Sequence, residues 1–250
     1  MSDPLFDSVE YWQTHLWDRD REHARAALPI QAVFEQQEKL TICAAADFAA
    51  RQPEQVHVLD LPVGTGRIAR MLCDALPGAT LTIGDINRST LEIASSRLSS
   101  TGLVAEAVCI DAYDVGTSFP NTFNIVVCLD FLSHVADLPR FVQAVADSLK
   151  PGGLFIANSL AAEWFAEYEL TKYGWWKAAR RSALRRFAKG LYPHAPDTLR
   201  YVIRRMGLAR IEGVSKQRIQ EVLQPAFDRT DVVSTFYHWF AAHRKPGPYH

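Results

Sequence analysis

Four aspartates in this sequence each close a run of apolar residues, and a glycine-rich turn follows the first of them. The turn reads VLDLPVGTGR. Gly64 and Gly66 let the backbone approach a ligand closely and adopt dihedrals that other residues avoid. Thr65, Gly66 and Arg67 open the next helix, whose unpaired N-terminal amides favour an anionic group. Gly64-Thr65-Gly66-Arg67-Ile68-Ala69 satisfies the permissive dinucleotide pattern G-x-G-x-x-G/A. Asp85 stands about 20 residues past the glycines, where a carboxylate can accept both hydroxyls of a ribose. Asp111, followed by Ala112, ends a third run and can accept from an exocyclic amine. Asp130 ends a fourth and leads into Phe131, Leu132, Ser133 and His134. A lone acid of this kind reads as a loop or cap residue. Four of them, Asp60, Asp85, Asp111 and Asp130, on the carboxyl rim of one sheet read as a ligand site, because open α/β sheets bind ligands there.

The elements that must position these residues alternate between strand and helix from about 55 to 160. VHVLDL (56–61), ATLTIGDI (79–86), VAEAVCI (104–110), FNIVVCL (123–129) and LFIANSL (154–160) read as strands, the fourth apolar throughout as a central parallel strand should be. RIARMLCDAL, NRSTLEIASSRL and LPRFVQAVADSL read as helices between them. Ser89 with Glu92 fits a capping box, Asp137 is placed as an N-cap, and Pro151-Gly152-Gly153 as a helix stop before the fifth strand. Such alternation argues a parallel sheet covered on both faces. Before it, residues 1–52 read as helical, with Ile30, Val33, Phe34, Leu40, Cys43 and Phe48 at three- and four-residue steps. After it, 161–192 reads as an aromatic, basic helical stretch. DTLRYVIRRMGL follows as a helix with Asp197 as N-cap and Gly207 as stop. ARIEGVSK (209–216) and VVSTFYHWFAAH (232–243) then read as a hairpin.

The chain has 250 residues, 48% hydrophobic and 22% charged, with 27 Lys+Arg against 28 Asp+Glu. This is the composition of a globular protein with a full core; it excludes a disordered chain and a small disulfide scaffold. A net charge of -1 argues against a dedicated nucleic-acid binder. Cys43, Cys73, Cys109 and Cys128 lie in apolar runs without C-x-x-C spacing, so reduced, buried thiols are expected, with no metal site and a cytoplasmic location. The N-terminus is not a signal peptide, and no apolar run approaches the ~18 residues of a membrane span.

Together these residues resemble the class I S-adenosylmethionine-dependent methyltransferases. The family's first motif, a strand ending in an acid and then x-G-x-G-x-G, stands here as Asp60-Leu61-Pro62-Val63-Gly64-Thr65-Gly66. Pro62 replaces its first glycine, a departure some members share. The resemblance covers 55–160 well and 195–245 loosely. It implies a Rossmann-like, seven-stranded, mostly parallel sheet with a terminal antiparallel hairpin, with 194–250 completing the core; the helical N-terminal cap (1–54) and the helical insert (161–193) lie outside the shared core. It implies a donor site of Asp60, Pro62, Gly64, Thr65, Gly66 and Arg67, then Asp85 with Ile86 on the ribose, Asp111 with Ala112 on the adenine, and Leu129, Asp130 and Phe131 along the methionine and methyl group. The cofactor implied is S-adenosylmethionine, with S-adenosylhomocysteine as product. A nicotinamide enzyme would place its first glycine directly after the strand and would lack the terminal hairpin.

Methyl transfer from a sulfonium needs alignment and a dry site, and a base only if the acceptor is protonated. His134 is the candidate general base, with packing against the cofactor as the plainer reading. Tyr11 and Trp12 in the cap, and Trp164, Tyr168, Trp175 and Trp176 in the insert, are candidate walls of an acceptor pocket. Their plainer role is to hold the cap to the core. The expected acceptor is a small molecule of specialised metabolism, free or bound to a carrier, methylated on O, N or C. Seven Lys/Arg and no acid fall between Lys172 and Lys189. Lys177, Arg181, Arg185 and Lys189 form one stripe and Trp176, Leu184, Phe187 and Leu191 another. The plain reading is a solvated helix; the sharper ones are an anionic substrate, an acidic carrier or peptide, or a membrane surface. Two other functions stay open: a protein or nucleic-acid methyltransferase using this basic helix, and a non-methylating binder of the cofactor. Asp130-Phe131-Leu132-Ser133 stands where amide-methylating enzymes carry N/D-P-P-Y/F, which disfavours adenine or glutamine amides. The cap could equally form a homodimer interface.

Overall fold

A computed structural model describes residue 13 and residues 18–100, 105–191, 194–196, 198–199 and 213–246. The strands are β1 (His57–Asp60), β2 (Thr80–Asp85), β3 (Glu106–Cys109), β4 (Phe123–Cys128), β5 (Leu149–Leu160), β6 (Phe227–Ser234) and β7 (Tyr237–Arg244). The helices are α1 (Arg19–Arg25), α2 (Leu28–Ala49), α3 (Arg67–Ala75), α4 (Arg88–Ser99), α5 (Val115–Ser118), α6 (Leu138–Ser148), α7 (Phe165–Tyr173), α8 (Trp175–Leu191) and α9 (Lys216–Leu223). All seven strands form one sheet in the order β3-β2-β1-β4-β5-β7-β6. The first five run parallel, and β7 is antiparallel to both β5 and β6. The mostly parallel sheet with a terminal hairpin is the fold expected from the sequence.

Alternation along the strands divides the core into two layers. Phe155 and Phe240 face Phe141 of α6 and Leu223 of α9, while Val58, Ile83, Ile125, Ile156 and Trp239 face α2, α3 and α4. A third cluster, Ile30, Phe34, Leu160, Tyr168 and Tyr237, ties α2 and α7 to the ends of β5 and β7. Strand order reverses between β1 and β4, so the loops after them diverge and leave a crevice at the carboxyl rim.

Several local expectations are corrected. The N-cap of α4 is Asn87, not Ser89: its extended backbone lets the side chain accept from the amides of Ser89 and Thr90. Asp137 does cap α6, accepting from the Arg140 amide. Pro151-Gly152-Gly153 does not precede the fifth strand but lies within it. Leu149 pairs with Phe123 and Leu154 with Ile125, so the intervening residues bulge outward with Gly152 at φ 76. The hairpin is β6–β7, not 209–216 with 232–243. The run VVSTFYHWFAAH is broken by a turn at Thr235–Phe236, and β6 begins in polar sequence because it is an edge strand. Residues 209–212 lie outside the described residues; Val214 makes a single bridge to Ala161, and Ser215 caps α9. Most of the helix expected at 197–208, with Asp197 and Gly207, also lies outside them. The four cysteines are free, but only Cys128 is buried; Cys43 and Cys109 are exposed, the latter on the edge strand β3.

Candidate functional site

Asp60, the last residue of β1, is 2% exposed. Burial pushes its carboxyl well above the usual carboxylate range, and the nearby Asp85 adds to this against the opposing pull of a backbone hydrogen bond and of Arg19. Among the described residues its Oδ2 has no hydrogen-bond partner. The chain then passes a cis Leu61–Pro62 bond and turns through Gly64 (φ 52) into Gly66 (φ 81), the N-cap of α3. A Cβ at Gly66 would also sit 3.1 Å from Cα and Cβ of Ala94. Glycine at this position therefore meets both a dihedral and a packing requirement.

Asp85 ends β2 directly beside this turn. Its Oδ2 accepts from the Gly64 amide at 3.2 Å and its Oδ1 from the Asn87 amide at 2.9 Å. Burial outweighs these bonds and pushes its carboxyl up to about 6. Asp111, after β3, accepts from the Tyr113 amide at 3.0 Å and starts a short 3-10 turn over Ala112–Asp114.

Two clefts adjoin at Pro62. The first is lined by Leu61, Pro62, Ile86, Ile110, Asp111, Ala112, Tyr113, Phe131, His134, Val135 and Ala136. The second is lined by Arg19, Asp60, Pro62, Val63, Gly64, Thr65, Arg67, Ile68, Leu129 and Asp130. Helix α1 lies over the second. Its N-cap Asp18 accepts from the Arg21 amide and from Thr65 Oγ1. Arg19, 5% exposed, donates from Nε to Glu38 at 3.0 Å, pairs through Nη1 with Asp130, and stacks 4.9 Å above the Phe34 ring. Burial opposes its charge, but Asp130 and Glu38 outweigh this and hold the guanidinium more basic than usual. Arg67 bridges Glu38, at 2.8 and 2.9 Å, to Asp20, at 2.7 Å, and Arg97 reaches the other Asp20 oxygen. Burial also works against Glu38, yet Arg67 and Arg19 keep its carboxyl below the usual range.

Asp130 is held from behind as well. It takes a positive φ of 60, its amide donates to Asn158 Oδ1, and its Oδ1 accepts from Asn158 Nδ2 at 3.0 Å. The same amide group of Asn158 reaches Gln37 Oε1 at 2.8 Å. Among the described residues this leaves three buried polar atoms near the second cleft without partners: Asp60 Oδ2, Arg19 Nη2 and Gln37 Nε2. An unsatisfied buried group costs about 1–3 kcal/mol, so a cluster of one acceptor and two donors is suited to a ligand that carries both an ammonium and a carboxylate.

The structure thus brings most of the sequence-derived donor residues together: Asp60, Pro62, Gly64, Thr65, Arg67, Leu129 and Asp130 around one cleft, Pro62, Ile86, Asp111, Ala112, Phe131 and His134 around the other, with Asp85 and Gly66 shaping the turn between. His134 lies with Asp111, not with Arg19. The candidate acceptor residues do not converge. Trp164, Trp175 and Trp176 are 47%, 70% and 64% exposed, whereas Tyr168 is buried in the third apolar cluster. Tyr11 and Trp12 lie outside the described residues. Arg19, Gln37, Glu38 and Asn158 were not anticipated. Asn158 had a signal, as a polar residue inside the apolar LFIANSL; Arg19 lies in a charged run and had none.

A family model described as "Methyltransferase domain" matches residues 59–155, which run from within β1 to within β5 and include the lining of both clefts except Arg19. This match supports the resemblance to the class I S-adenosylmethionine-dependent methyltransferases over the sheet's parallel half. An enzyme named ubiquinone biosynthesis O-methyltransferase, from Chromobacterium violaceum, is 31% identical over 103 residues, 41% of this chain and 44% of that one. The chain therefore spans less than half the length of the curated relatives it matches. Two solved structures share the fold along nearly the whole chain. The PH0226 protein from Pyrococcus horikoshii OT3 has a TM-score of 0.58 at 18% identity, over 97% of this chain and 96% of that one. The N-methyltransferase NodS from Bradyrhizobium japonicum WM9, in complex with S-adenosyl-L-homocysteine, has a TM-score of 0.57 at 13% identity, over 98% and 100%. The methyl donor of class I methyltransferases is S-adenosylmethionine, an adenosine joined to a zwitterionic methionine. Two clefts meeting at Pro62, one of them edged by unpaired carboxylate and guanidinium atoms, fit that two-part molecule.

Proposed function

We propose that this chain transfers a methyl group from S-adenosylmethionine to a small-molecule acceptor. The observation that carries this reading is the set of unpaired Asp60 Oδ2 and Arg19 Nη2 beside the glycine turn. Asp60 would receive the donor's ammonium and Arg19 its carboxylate, Asp85 the ribose hydroxyls, and Asp111 with Ala112 the adenine amine. When bound, S-adenosylmethionine supplies a methyl group made electrophilic by its sulfonium. The residues around it orient and desolvate: Leu129 and Phe131 line apolar wall, and α1 covers the methionine end through Arg19. His134 shares the cleft of Asp111, which supports a role packing against the donor over that of general base. The acceptor atom is not set by this fold, because the neighbours named above include an O- and an N-methyltransferase. The relative's name supports a hydroxyl oxygen as the first acceptor to test. The four free cysteines support a reducing, cytoplasmic setting, and no helix of the described residues is long and apolar enough to cross a membrane.

Calorimetric titration with S-adenosylmethionine, S-adenosylhomocysteine and NAD, on wild type and Arg19→Met, tests the donor site. Micromolar binding of both sulfur compounds, weakened in the variant, is expected. Binding of NAD alone, or binding of the sulfur compounds with equal affinity in both proteins, overturns the assignment. A screen of hydroxylated aromatic acceptors with labelled donor then tests catalysis.

A further inference from the structure

Helix α8 is amphipathic, but it is docked with its polar stripe inward. Arg185 is 4% exposed and pairs with the buried Glu169 of α7; Arg181 reaches the same carboxylate at 3.6 Å. Their guanidinium groups stack on Tyr173 and Phe165, 4.6 and 4.7 Å from the ring centroids. Ala188, on the same side, is 3% exposed. The opposite side carries Trp176, Leu184, Phe187 and Leu191, at 64%, 42%, 70% and 39% exposure, with Trp175 at the helix start. Helices of water-facing surfaces do the reverse, burying the apolar stripe against the core. Two large aromatics left two-thirds open on one turn-spaced face mark an interaction surface.

The charges around that face select the occupant. Lys177, Arg180 and Arg186 are exposed beside it, and α8 contains no acidic residue. An isologous contact between two copies would set these cations against their own images with no acid on the helix to answer them. A Trp-, Phe- and Leu-bearing face edged by Lys and Arg is instead the composition of a helix lying in a lipid headgroup region. We infer that α8 docks this chain, reversibly, on the surface of an anionic phospholipid bilayer, with Trp176 and Phe187 entering the headgroup layer and Lys177, Arg180 and Arg186 meeting lipid phosphates. The inference does not rest on methyl transfer, since none of these residues touches either cleft.

The test is co-sedimentation of the full chain with vesicles of phosphatidylcholine alone and of phosphatidylcholine mixed with phosphatidylglycerol, at low and high salt. Binding to the mixed vesicles only, falling as salt rises, is expected. Arg180→Gln and Arg186→Gln should each weaken it about fivefold. Phe187→Ser should weaken it about tenfold. Phe187 is exposed, so the variant should keep the wild-type melting curve, which is measured in parallel. Arg229→Gln, on the exposed edge of β6, should bind as wild type does. Acrylamide quenching of tryptophan emission should fall when the mixed vesicles are added. Four outcomes overturn the inference: equal binding to both vesicle types; binding unchanged by Phe187→Ser; no vesicle binding but a dimer that Phe187→Ser dissociates, which makes a second copy the occupant; and binding to polyglutamate without vesicle binding, which makes it an acidic protein.

Discussion

Asp85 is set up to make donor binding depend on pH in a range where free aspartates do not titrate. Its carboxyl is 7% exposed, and burial pushes it up to about 6. On the proposed reading the ribose hydroxyls donate to Asp85, so binding needs its ionised form. Protonation removes that form progressively below pH 6. With the folded value at about 6, S-adenosylhomocysteine should bind about twofold more weakly at pH 6 than at pH 8, and about tenfold more weakly at pH 5. Asp85→Asn should weaken binding at pH 8 by about 1.5–3 kcal/mol, roughly ten- to a hundredfold, and should flatten the profile. The unliganded fold responds with the opposite sign. A carboxyl whose folded value is raised holds its proton longer in the folded chain than in the unfolded one. Its contribution to stability therefore falls as pH rises from about 4 to 6. Over that window the stability of Asp85→Asn relative to wild type should improve by about 3 kcal/mol. Calorimetry of S-adenosylhomocysteine binding from pH 5 to 8, with urea unfolding of both proteins over pH 4 to 7, reads the two effects. A flat wild-type binding profile, or a step near pH 6 that persists in Asp85→Asn, would refute the assignment of this carboxylate to the ribose.

Three further changes separate the site from its scaffold. Gly66→Ala places a side chain at φ 81, 3.1 Å from Ala94, and should cost about 1–3 kcal/mol in urea unfolding while weakening donor binding. Arg19→Met leaves Asp130 buried without its cation; a loss of about 3 kcal/mol is expected, softened at Glu38 because Arg67 still pairs with it, and thermal melting with donor titration should show both effects. Among the described residues Arg185→Met leaves Glu169 with the longer contact to Arg181, so the melting temperature should fall by several degrees with the Kd for S-adenosylhomocysteine unchanged.

The clefts proposed to hold the donor could be assembled from the sequence because the residues that shape them are local. Each rim acid directly ends an apolar run, and the glycine turn joins a strand to a helix within a few residues, so reading the strands was enough to align Asp60, Asp85, Asp111 and Asp130. What the reading missed is set by contacts distant in sequence. Arg19 meets Asp130 across 111 positions, and Gln37 meets Asn158 across 121. No periodicity in DRDRE distinguishes Arg19, which is buried, from Arg21, which is exposed. Errors of register followed the same rule. The edge strand β6 was overlooked because a strand with one open side needs few apolar residues, and the Thr235–Phe236 turn was overlooked because β-branched and aromatic residues mask it.

Helix α8 carries this argument one step further. Its two stripes were visible from spacing alone, and ordinary burial energetics assign the apolar one to the core. Burying Phe187 and Leu184 would be worth about 1.5–3 kcal/mol each. The fold instead buries Arg185 against Glu169, an arrangement whose desolvation cost consumes most of its Coulombic gain. Packing among the described residues therefore does not explain the orientation. Glu169 and the rings of Tyr173 and Phe165 supply a specific seat for the cations, and the seat turns Trp176 and Phe187 outward. A seat that gives up this much apolar burial is explained when the released face is buried elsewhere. Neutralising the seat while leaving the face intact, as in Arg185→Met, should weaken vesicle binding even though no residue of the outward face is altered. Vesicle binding unchanged in that variant would show that the helix presents its apolar stripe without help from Glu169.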